Sequence, residues 1–321
     1  MINKCSYCNC SLSLIRKNVS HFDDQQKTCT LLKCHSCGLI FTYPDIDAKN
    51  LSLYYSKEYY GTHDEKFVFG IENLTSWLNK RLSIKIYKQY ISQANVDKKV
   101  RVLDIGCGRG LLLKHFNSLG CECYGVERKG VFKTEKRDNV NYYTNSLHEI
   151  KFPQNSFDIV ILWHVLEHIQ DPNKLIIEVK RILKTNGFLW VAVPNFESFQ
   201  SKIFDNYWFH LDLPRHRVHF SIDSLKTLLK SSSLEIKEYS TFSFEQNIYG
   251  FLQSLMNKIS LKEQNHKFYQ QIKKNNKYFS LPAFIKGVLT VFILIPLALI
   301  EYLFSGFLKK GSVLICKIRP V

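Results

Sequence analysis

Residues 102–110 read VLDIGCGRG, a run of aliphatic side chains that ends in a turn with three glycines. Val100–Ile105 is typical of a buried parallel strand, since only Arg101 and Asp104 interrupt its apolar residues. The following LLLKHFNSLG predicts a helix with one apolar face, and CECYGVER predicts a second strand that ends at Glu127. A strand, a glycine turn, a helix and a strand that ends in an acid form the first unit of a doubly wound α/β sheet.

The glycine turn restricts which ligand such a unit can bind. A phosphate-binding P-loop is excluded because no lysine follows Gly110 at the required position. Dinucleotide sites use G-x-G-x-x-G, whereas this turn is spaced G-x-G-x-G, and the Asp104 carboxylate would repel a pyrophosphate. That carboxylate suits a ligand with an ammonium and a sulfonium group, and Glu127 is placed to accept hydrogen bonds from two ribose hydroxyls. The turn therefore favours S-adenosylmethionine, packed on bare glycine backbone, over a nicotinamide cofactor.

Four motifs between about Val100 and Leu189 resemble those of the class I S-adenosylmethionine-dependent methyltransferases: VLDIGCGRG, YGVER, FPQNSFDIVILWHVLEHIQDP and LKTNGFLWVAVPN. The resemblance implies a Rossmann-like, seven-stranded sheet whose last strand is antiparallel. Where family members often carry an aspartate after the third strand, this chain has Asn145 and Ser146. The resemblance carries cofactor binding onto Asp104, Gly106, Cys107, Gly108, Gly110, Glu127, Ser146, Leu147 and His164.

The N-terminal segment contains two cysteine pairs, Cys5-x-x-Cys8 and Cys34-x-x-Cys37, separated by 25 residues. Two such pairs complete a tetrahedral Zn²⁺ site with no open position, so we expect a structural zinc ribbon rather than a catalytic zinc. Cys10, Cys29 and His35 are further candidate ligands, and four unrelated buried thiols are the alternative. The tyrosine-rich segment after the ribbon resembles the one that joins such modules to methyltransferase domains in bacterial sugar and polysaccharide-type enzymes.

Histidines in two segments are candidates for the base that takes a proton from the methyl acceptor. Methyl transfer is an in-line displacement for which the protein positions the acceptor and removes its proton, and a histidine suits that removal. His164 follows the predicted fourth strand and is the first choice, whereas His168 is interpreted as a helix-packing residue. The segment HLDLPRHRVHF, which resembles a substrate-facing segment of the family, adds His210, His216 and His219. Each of these histidines could instead be structural.

The C-terminal part contains an uncharged stretch of fourteen residues, 287–300, which is short for a membrane-spanning helix. The final GSVLICKIRP is interpreted as the antiparallel last strand, so the insertion before it must leave the sheet and return. Residues 258–279 carry six lysines and one glutamate. These features favour an insertion that lies on an anionic membrane surface, and a buried helix or a dimer interface is the alternative.

The chain is therefore predicted to have five parts. They are a zinc ribbon (1–45), a helical linker or cap (46–95), the Rossmann-like core (96–242), a basic and apolar helical insertion (243–310) and the final strand of the core (311–321).

The predicted function is S-adenosylmethionine-dependent methylation of a sugar, a glycan or a lipid-linked intermediate at the cytoplasmic membrane face. The net charge of +16 favours an anionic partner, and the absence of an apolar N-terminal leader predicts a cytoplasmic protein, peripheral on the inner membrane. A small-molecule or glycolipid acceptor is expected, with nucleic acid less favoured; the sequence does not fix the oligomeric state. The alternatives are an RNA or quinone-type methyltransferase, a nicotinamide oxidoreductase, or a nucleic-acid-binding protein with a vestigial cofactor fold.

Overall fold

The computed structural model describes residues 4–21, 26–46, 50, 54–55, 71–93, 99–128, 135–259 and 281–321. The strands in this part of the chain are β1 (Leu12–Ser20), β2 (Thr28–Cys34), β3 (Ile40–Tyr43), β4 (Arg101–Ile105), β5 (Glu122–Val126), β6 (Glu135–Arg137), β7 (Val140–Tyr143), β8 (Phe157–Trp163), β9 (Leu183–Pro194), β10 (Val218–His219), β11 (Leu234–Ser240) and β12 (Val313–Pro320). The α-helices are α1 (Ile71–Ile91), α2 (Leu111–Ser118), α3 (Leu147–Ile150), α4 (Pro172–Ile182), α5 (Phe199–Phe204), α6 (Ile222–Lys230), α7 (Phe244–Ile259) and α8 (Leu281–Phe307).

The larger sheet has the strand order β11-β12-β9-β8-β4-β5-β7-β6. The strands from β9 to β7 are parallel, and β12 pairs antiparallel with both β9 and β11. This confirms the predicted doubly wound sheet with an antiparallel last strand. The short β6 lies beyond the seven predicted strands. It forms a hairpin with β7 because Asp138 and Asn139 take positive φ angles of 51° and 60°, which is the conformation of a tight two-residue turn.

The central strands are buried on both faces, as the aliphatic runs predicted. In β4, Val102 and Leu103 are both fully buried but belong to different core clusters. Alternate residues of β8 divide in the same way, with Ile159 in one cluster and Val160 in the other. Because alternate side chains of β4 pack into the core on opposite faces of the sheet, the packing fixes the position of the strand and of the turn that follows Ile105.

The N-terminal strands form a second sheet with the order β1-β2-β3-β10. Its fourth strand, β10, belongs to the segment after β9, so the sheet joins the N-terminal part directly to the predicted acceptor-binding segment. The Thr42 hydroxyl donates to the His216 carbonyl over 2.6 Å. The Arg217 guanidinium forms a salt bridge with Asp45. The N-terminal part therefore supports the backbone on which three of the candidate histidines lie.

The helices α7 and α8 lie between β11 and β12, so the chain leaves the sheet and returns to it as the sequence predicted. The helix α8 packs on α7 and the α5 region through one face, where Ala298 is fully buried and Glu301 accepts a hydrogen bond from the Gln200 amide over 2.9 Å. No helix in the described ranges combines the length and the apolar character that a membrane crossing requires. Most of the lysine-rich segment of the insertion, residues 260–280, lies outside the described residues.

Candidate active site

The glycine turn and Glu127 form one hydrogen-bonded unit at the carboxyl edge of the sheet. The Gly106 N–H donates to the Val126 carbonyl over 2.6 Å, which ties the turn to the end of β5. The Gly108 N–H donates to the Glu127 carboxylate over 2.9 Å. The acid predicted to hold the ribose therefore lies beside the backbone of the turn, where a nucleoside would extend from one to the other.

The three glycines of the turn are needed for different reasons. All three have positive φ, a conformation that side chains disfavour. A Cβ on Gly106 would lie 2.3 Å from the Val165 side chain, and a Cβ on Gly110 would lie 2.1 Å from the Tyr142 hydroxyl. A Cβ on Gly108 would meet no atom of the described residues within 4 Å. As far as the described residues go, Gly108 therefore borders space that a ligand can occupy.

Two buried carboxylates lie at this edge. Asp104 is the fourth residue of β4 and Glu127 follows β5, and both are buried. Burial raises the pKa of Asp104 well above its ordinary value, and the negative charge of Glu127 raises it further. A cationic ligand would relieve this repulsion, whereas a pyrophosphate would increase it. The electrostatics of the site thus match a sulfonium donor.

The other residues predicted to bind the cofactor occupy different surroundings. Cys107 is buried, and its sulfur packs close to Gly125 beneath the turn. Leu147 is buried in the core, so its side chain faces away from solvent. Ser146 is exposed at the start of α3, and its N–H donates to Glu149 over 2.8 Å. Binding through these three residues stays a prediction.

His164 lies directly after β8 in a strained backbone conformation, with φ of 55°. Its N–H donates to the Ala192 carbonyl over 2.9 Å, and its Nδ1 lies 3.3 Å from Oε1 of Glu167. Its Nε2 is buried and has no hydrogen-bond partner in the described part of the chain. The next residue, Val165, contacts the glycine turn. His164 therefore lies next in the chain to a residue that contacts the predicted cofactor site, and its own ring approaches Glu167.

The four histidines predicted as candidate bases do not form one group. His164 and His216 both approach Glu167, since His216 Nε2 lies 4.0 Å from Oε1 of that carboxylate. His210 Nε2 instead donates to the Gln246 carbonyl of α7 over 3.2 Å, and His219 Nε2 lies 3.0 Å from the Thr42 hydroxyl. Burial lowers the pKa of His210 to about 3 and that of His219 well below its ordinary value. These two histidines have structural partners and are weak bases.

Glu167, His168 and Tyr55 also lie close to the site, although they are not among the binding and catalytic residues predicted from the sequence. Glu167 is only 1% exposed. Burial disfavours its ionised form, but the hydrogen bond with His164 and the nearby His168 and His216 outweigh burial and hold the pKa of Glu167 at about 2. The Tyr55 hydroxyl lies 3.0 Å from His168 Nδ1, and the Arg128 guanidinium lies over the Tyr55 ring. The spacing H-x-x-E-H after a strand was the available signal for the first two, and the tyrosine-rich segment after the ribbon was the signal for Tyr55.

The four paired cysteines converge as their spacing predicted. The Sγ atoms of Cys5 and Cys37 are 3.6 Å apart and those of Cys8 and Cys34 are 3.4 Å apart, and all four lie within 4.8 Å of one another. Zinc–sulfur bonds of about 2.3 Å in a tetrahedron give sulfur–sulfur edges of roughly 3.8 Å. The cluster therefore fits a Zn²⁺ ion.

A doubly wound sheet with an antiparallel last strand, a glycine turn between two acids and a histidine at the carboxyl edge define a cofactor-binding transferase of the Rossmann-like class. Residues 75–239, just over half of the chain, match the family described as "Methyltransferase domain". The chain belongs to this family, and its topology is that of the class I S-adenosylmethionine-dependent methyltransferases.

Curated relatives match parts of the chain. An uncharacterised methyltransferase of Schizosaccharomyces pombe is 34% identical over 110 residues, which cover 29% of this chain and 40% of the relative. A ubiquinone biosynthesis O-methyltransferase of Rhodopseudomonas palustris is 31% identical over 103 residues, 30% of this chain and 40% of that protein. The matches thus span less than half the length of these two relatives.

Solved structures show distant likeness. A putative sarcosine dimethylglycine methyltransferase from Galdieria sulphuraria aligns with a TM-score of 0.49 and 15% identity over 74% of this chain and 85% of that one. A SAM-dependent methyltransferase from Archaeoglobus fulgidus aligns with a TM-score of 0.45 and 18% identity over 75% and 93%.

Proposed function

We propose that this protein transfers a methyl group from S-adenosylmethionine to a hydroxyl oxygen of a small acceptor. The observation that carries the proposal is His164, whose buried Nε2 has no partner among the described residues and whose chain neighbour Val165 contacts the glycine turn. The bound cofactor would supply a methyl group already activated on a positively charged sulfur. Asp104 and Glu127 then orient that cofactor, and His164 takes the proton that the acceptor hydroxyl loses. The name of the Rhodopseudomonas palustris relative, an O-methyltransferase, supports oxygen as the atom methylated.

The acceptor that we propose is a sugar, a glycan or a lipid-linked intermediate at the cytoplasmic membrane face. Support comes from α7, which connects the site with the surface. Glu245, in the first turn of α7, lies close enough to His164 for the histidine to lower its pKa. The carbonyl of the next residue, Gln246, accepts a hydrogen bond from His210. The outer neighbour of α7 is the apolar helix α8. An acceptor held in the bilayer by an apolar chain would have its polar end within reach of α7 and the histidines that it contacts.

The outward face of α8 supports attachment to a bilayer. Large apolar side chains recur at helical spacing along it, and Phe292, Ile293 and Phe307 are each at least 70% exposed. An exposed apolar row of this length is unusual on the surface of a monomeric protein and marks a surface that another apolar phase covers. Lys309 and Lys310 follow α8 directly, and the lysine-rich segment precedes it in the sequence. Lysines beside an apolar helix face are typical of binding to anionic headgroups.

The four-cysteine cluster is proposed to hold a structural Zn²⁺ ion. Four thiolates leave no position for water or substrate, so the ion would stabilise the N-terminal part rather than take part in methyl transfer. Because β3 of this part pairs with β10, the ion would also stabilise the acceptor-binding segment.

A quinone-type acceptor is the second candidate. The printed name of the Rhodopseudomonas palustris relative places that protein in ubiquinone biosynthesis. A lipid-soluble quinol would use the same apolar approach along α8, but it would carry an acidic phenolic hydroxyl instead of an alcohol.

The proposal is tested with labelled S-adenosylmethionine, anionic liposomes and extracts of membrane lipids, glycans and RNA. We expect label in an organic-extractable product as a stable methyl ether. The variant His164→Ala should reduce turnover by about 10²–10⁴-fold if His164 is the base. His148→Ala is the matched control, because that histidine is 59% exposed on α3 and is not among the predicted site residues. Label in RNA, or normal turnover by His164→Ala, would contradict the proposal.

A further inference from the structure

Glu167, His168 and His216 form a compact group on the acceptor side, called here the His–Glu cluster. One ligand atom from each residue lies within 4.8 Å of the other two. The rings of His168 and His216 are in contact, with centroids 4.6 Å apart. Glu167 and His168 belong to the turn after β8 and His216 to the segment before β10, so the fold brings the cluster together from distant parts of the chain.

Hydrogen bonds to the backbone fix which ring nitrogen of each histidine faces the cluster. His168 Nδ1 lies 3.1 Å from the Arg215 carbonyl, and His216 Nδ1 lies 2.9 Å from the His210 carbonyl. A carbonyl oxygen only accepts, so each Nδ1 is the donor in these bonds, and the Tyr55 hydroxyl, 3.0 Å from His168 Nδ1, accepts from the same N–H. Each Nε2 of the neutral rings then carries a lone pair, and His216 Nε2 lies 4.0 Å from Oε1 of Glu167 and 3.7 Å from Oδ2 of Asp212. Histidines that bind metals are oriented in this way, with the second nitrogen donating to a carbonyl or carboxylate.

The Glu167 carboxylate lacks the donors that would satisfy it. Its Oε2 is buried and accepts no hydrogen bond in the described part of the chain, and its Oε1 has only the His164 ring at 3.3 Å. A carboxylate oxygen and two unprotonated imidazole nitrogens are all electron-pair donors, so their approach needs a positive charge, supplied by a ring proton or by a metal ion between them. A buried acid of this kind is normally paired or bound to a metal.

We propose that the His–Glu cluster binds a divalent transition-metal ion through one Glu167 oxygen and the Nε2 atoms of His168 and His216. Two imidazoles and one carboxylate are the ligand set of sites that keep open coordination positions. Imidazole favours zinc, copper, iron or nickel over calcium, and the carboxylate also suits manganese. The open positions would take the acceptor, whose chemical class is a hydroxyl with a second oxygen on the neighbouring carbon, as in a vicinal diol or a catechol. Such an acceptor would bind the ion through both oxygens.

The ion would position and activate the acceptor oxygen for the reaction proposed above, on which this step rests. Coordination lowers the pKa of the hydroxyl, whose O–H bond breaks as its proton passes to His164 Nε2. The oxygen then forms a bond to the methyl carbon while the carbon–sulfur bond breaks. The electron pair of that bond stays on sulfur, so the products are the methyl ether and S-adenosylhomocysteine. No oxidant or reductant is needed.

The test is a titration with Mn²⁺ of protein that carries one Zn²⁺ ion per chain, which fills the cysteine cluster and leaves the His–Glu cluster open, and electron paramagnetic resonance detects the bound Mn²⁺. Because thiolates bind Mn²⁺ poorly, the cysteine cluster does not compete. We expect one tight Mn²⁺ ion per chain, and Glu167→Gln should weaken its binding by at least about tenfold. His148→Ala should bind Mn²⁺ like the unaltered protein. S-adenosylhomocysteine binding, measured by calorimetry, reports whether each variant is folded.

Two outcomes would overturn the metal site: no Mn²⁺ bound at millimolar concentration, or equal binding by the protein and Glu167→Gln. If Glu167→Gln fails to fold, His216→Gln gives the same comparison. Failure of the metal site is distinguishable from failure of the proposed function. Methyl transfer that continues unchanged after the Mn²⁺-binding metal is removed would retain the function and reject the ion.

Discussion

Asp104 carries an electrostatic cost in the cofactor-free protein. Burial, and then the charge of Glu127, raise its pKa, so the folded chain holds a proton there more tightly than the unfolded chain does. The stability of the cofactor-free protein should therefore fall as pH rises above the ordinary aspartate value of 3.8 towards the raised pKa. A cationic cofactor would offset this cost when it binds.

The substitution Asp104→Asn separates these two effects. We expect it to raise the free energy of unfolding of the cofactor-free protein at pH 7 by more than about 1 kcal/mol, since a neutral amide is cheaper to bury than a carboxylate. The same change should lower the affinity for S-adenosylmethionine and leave the zinc content unaltered. Thermal unfolding between pH 4 and 8 measures the change in stability, and calorimetric titration measures the change in affinity for S-adenosylmethionine. A variant that is less stable and binds the cofactor normally would contradict this account of Asp104.

The sequence predicts some of these residue roles and not others. Asp104, Glu127 and the three glycines follow from one strand–turn–helix pattern, because their positions are local to it. The roles of the histidines depend on tertiary contacts. Nothing in HLDLPRHRVHF shows that His210 faces α7, that His219 faces Thr42 or that His216 reaches Glu167.

At the scale of elements, the parallel strands and the returning last strand were predictable from hydrophobic runs, whereas two features were not. The β6–β7 hairpin depends on the positive φ angles of Asp138 and Asn139. The outward face of α8 depends on which side packs against α7. The fourteen-residue apolar stretch alone is consistent with a buried helix, but the structure leaves one side of α8 exposed.

Three substitutions on α8 test its role in membrane binding. Phe292, Ile293 and Ile300 are each at least 65% exposed, so replacing them with serine should not destabilise the fold. If α8 binds the membrane as proposed, liposome binding should weaken by roughly tenfold for each side chain, because each would bury apolar surface in the bilayer. Flotation with and without anionic lipid measures this. Ile177→Ser is the matched control, since Ile177 is 51% exposed on α4. Equal flotation of the triple variant and the unaltered protein would reject α8 as the membrane-binding surface.

At the scale of the whole molecule, the N-terminal part and the core share a sheet. The sequence predicted a zinc ribbon at the N-terminus and an acceptor-binding segment at residues 210–220. It did not predict that β3 pairs with β10. Two residues, Val218 and His219, make this pairing, and such a short strand leaves no recognisable pattern. We therefore expect the stability of the cysteine cluster to affect the proposed acceptor side more than the proposed cofactor side.

Loss of the zinc ion should therefore reduce catalysis without reducing cofactor affinity. In Cys34→Ser we expect lower zinc content, a lower unfolding temperature and slower methyl transfer, because the β3–β10 pairing and the Thr42–His216 hydrogen bond would loosen. Affinity for S-adenosylhomocysteine should change by less than about twofold. Cys10→Ser is the control, since Cys10 lies near the cluster but outside its four members. Full turnover by zinc-free protein would disprove this coupling.

The central claim is that Asp104 and Glu127 bind S-adenosylmethionine across the glycine turn, and calorimetric titration with S-adenosylmethionine and with NADH tests it most directly. We predict that the first ligand binds and the second does not. Glu127→Gln should weaken binding by about tenfold or more, through the loss of charged hydrogen bonds, whereas Glu122→Gln at the opposite end of β5 should have no effect. Binding of NADH, or S-adenosylmethionine affinity that is unchanged in Glu127→Gln, would contradict the account.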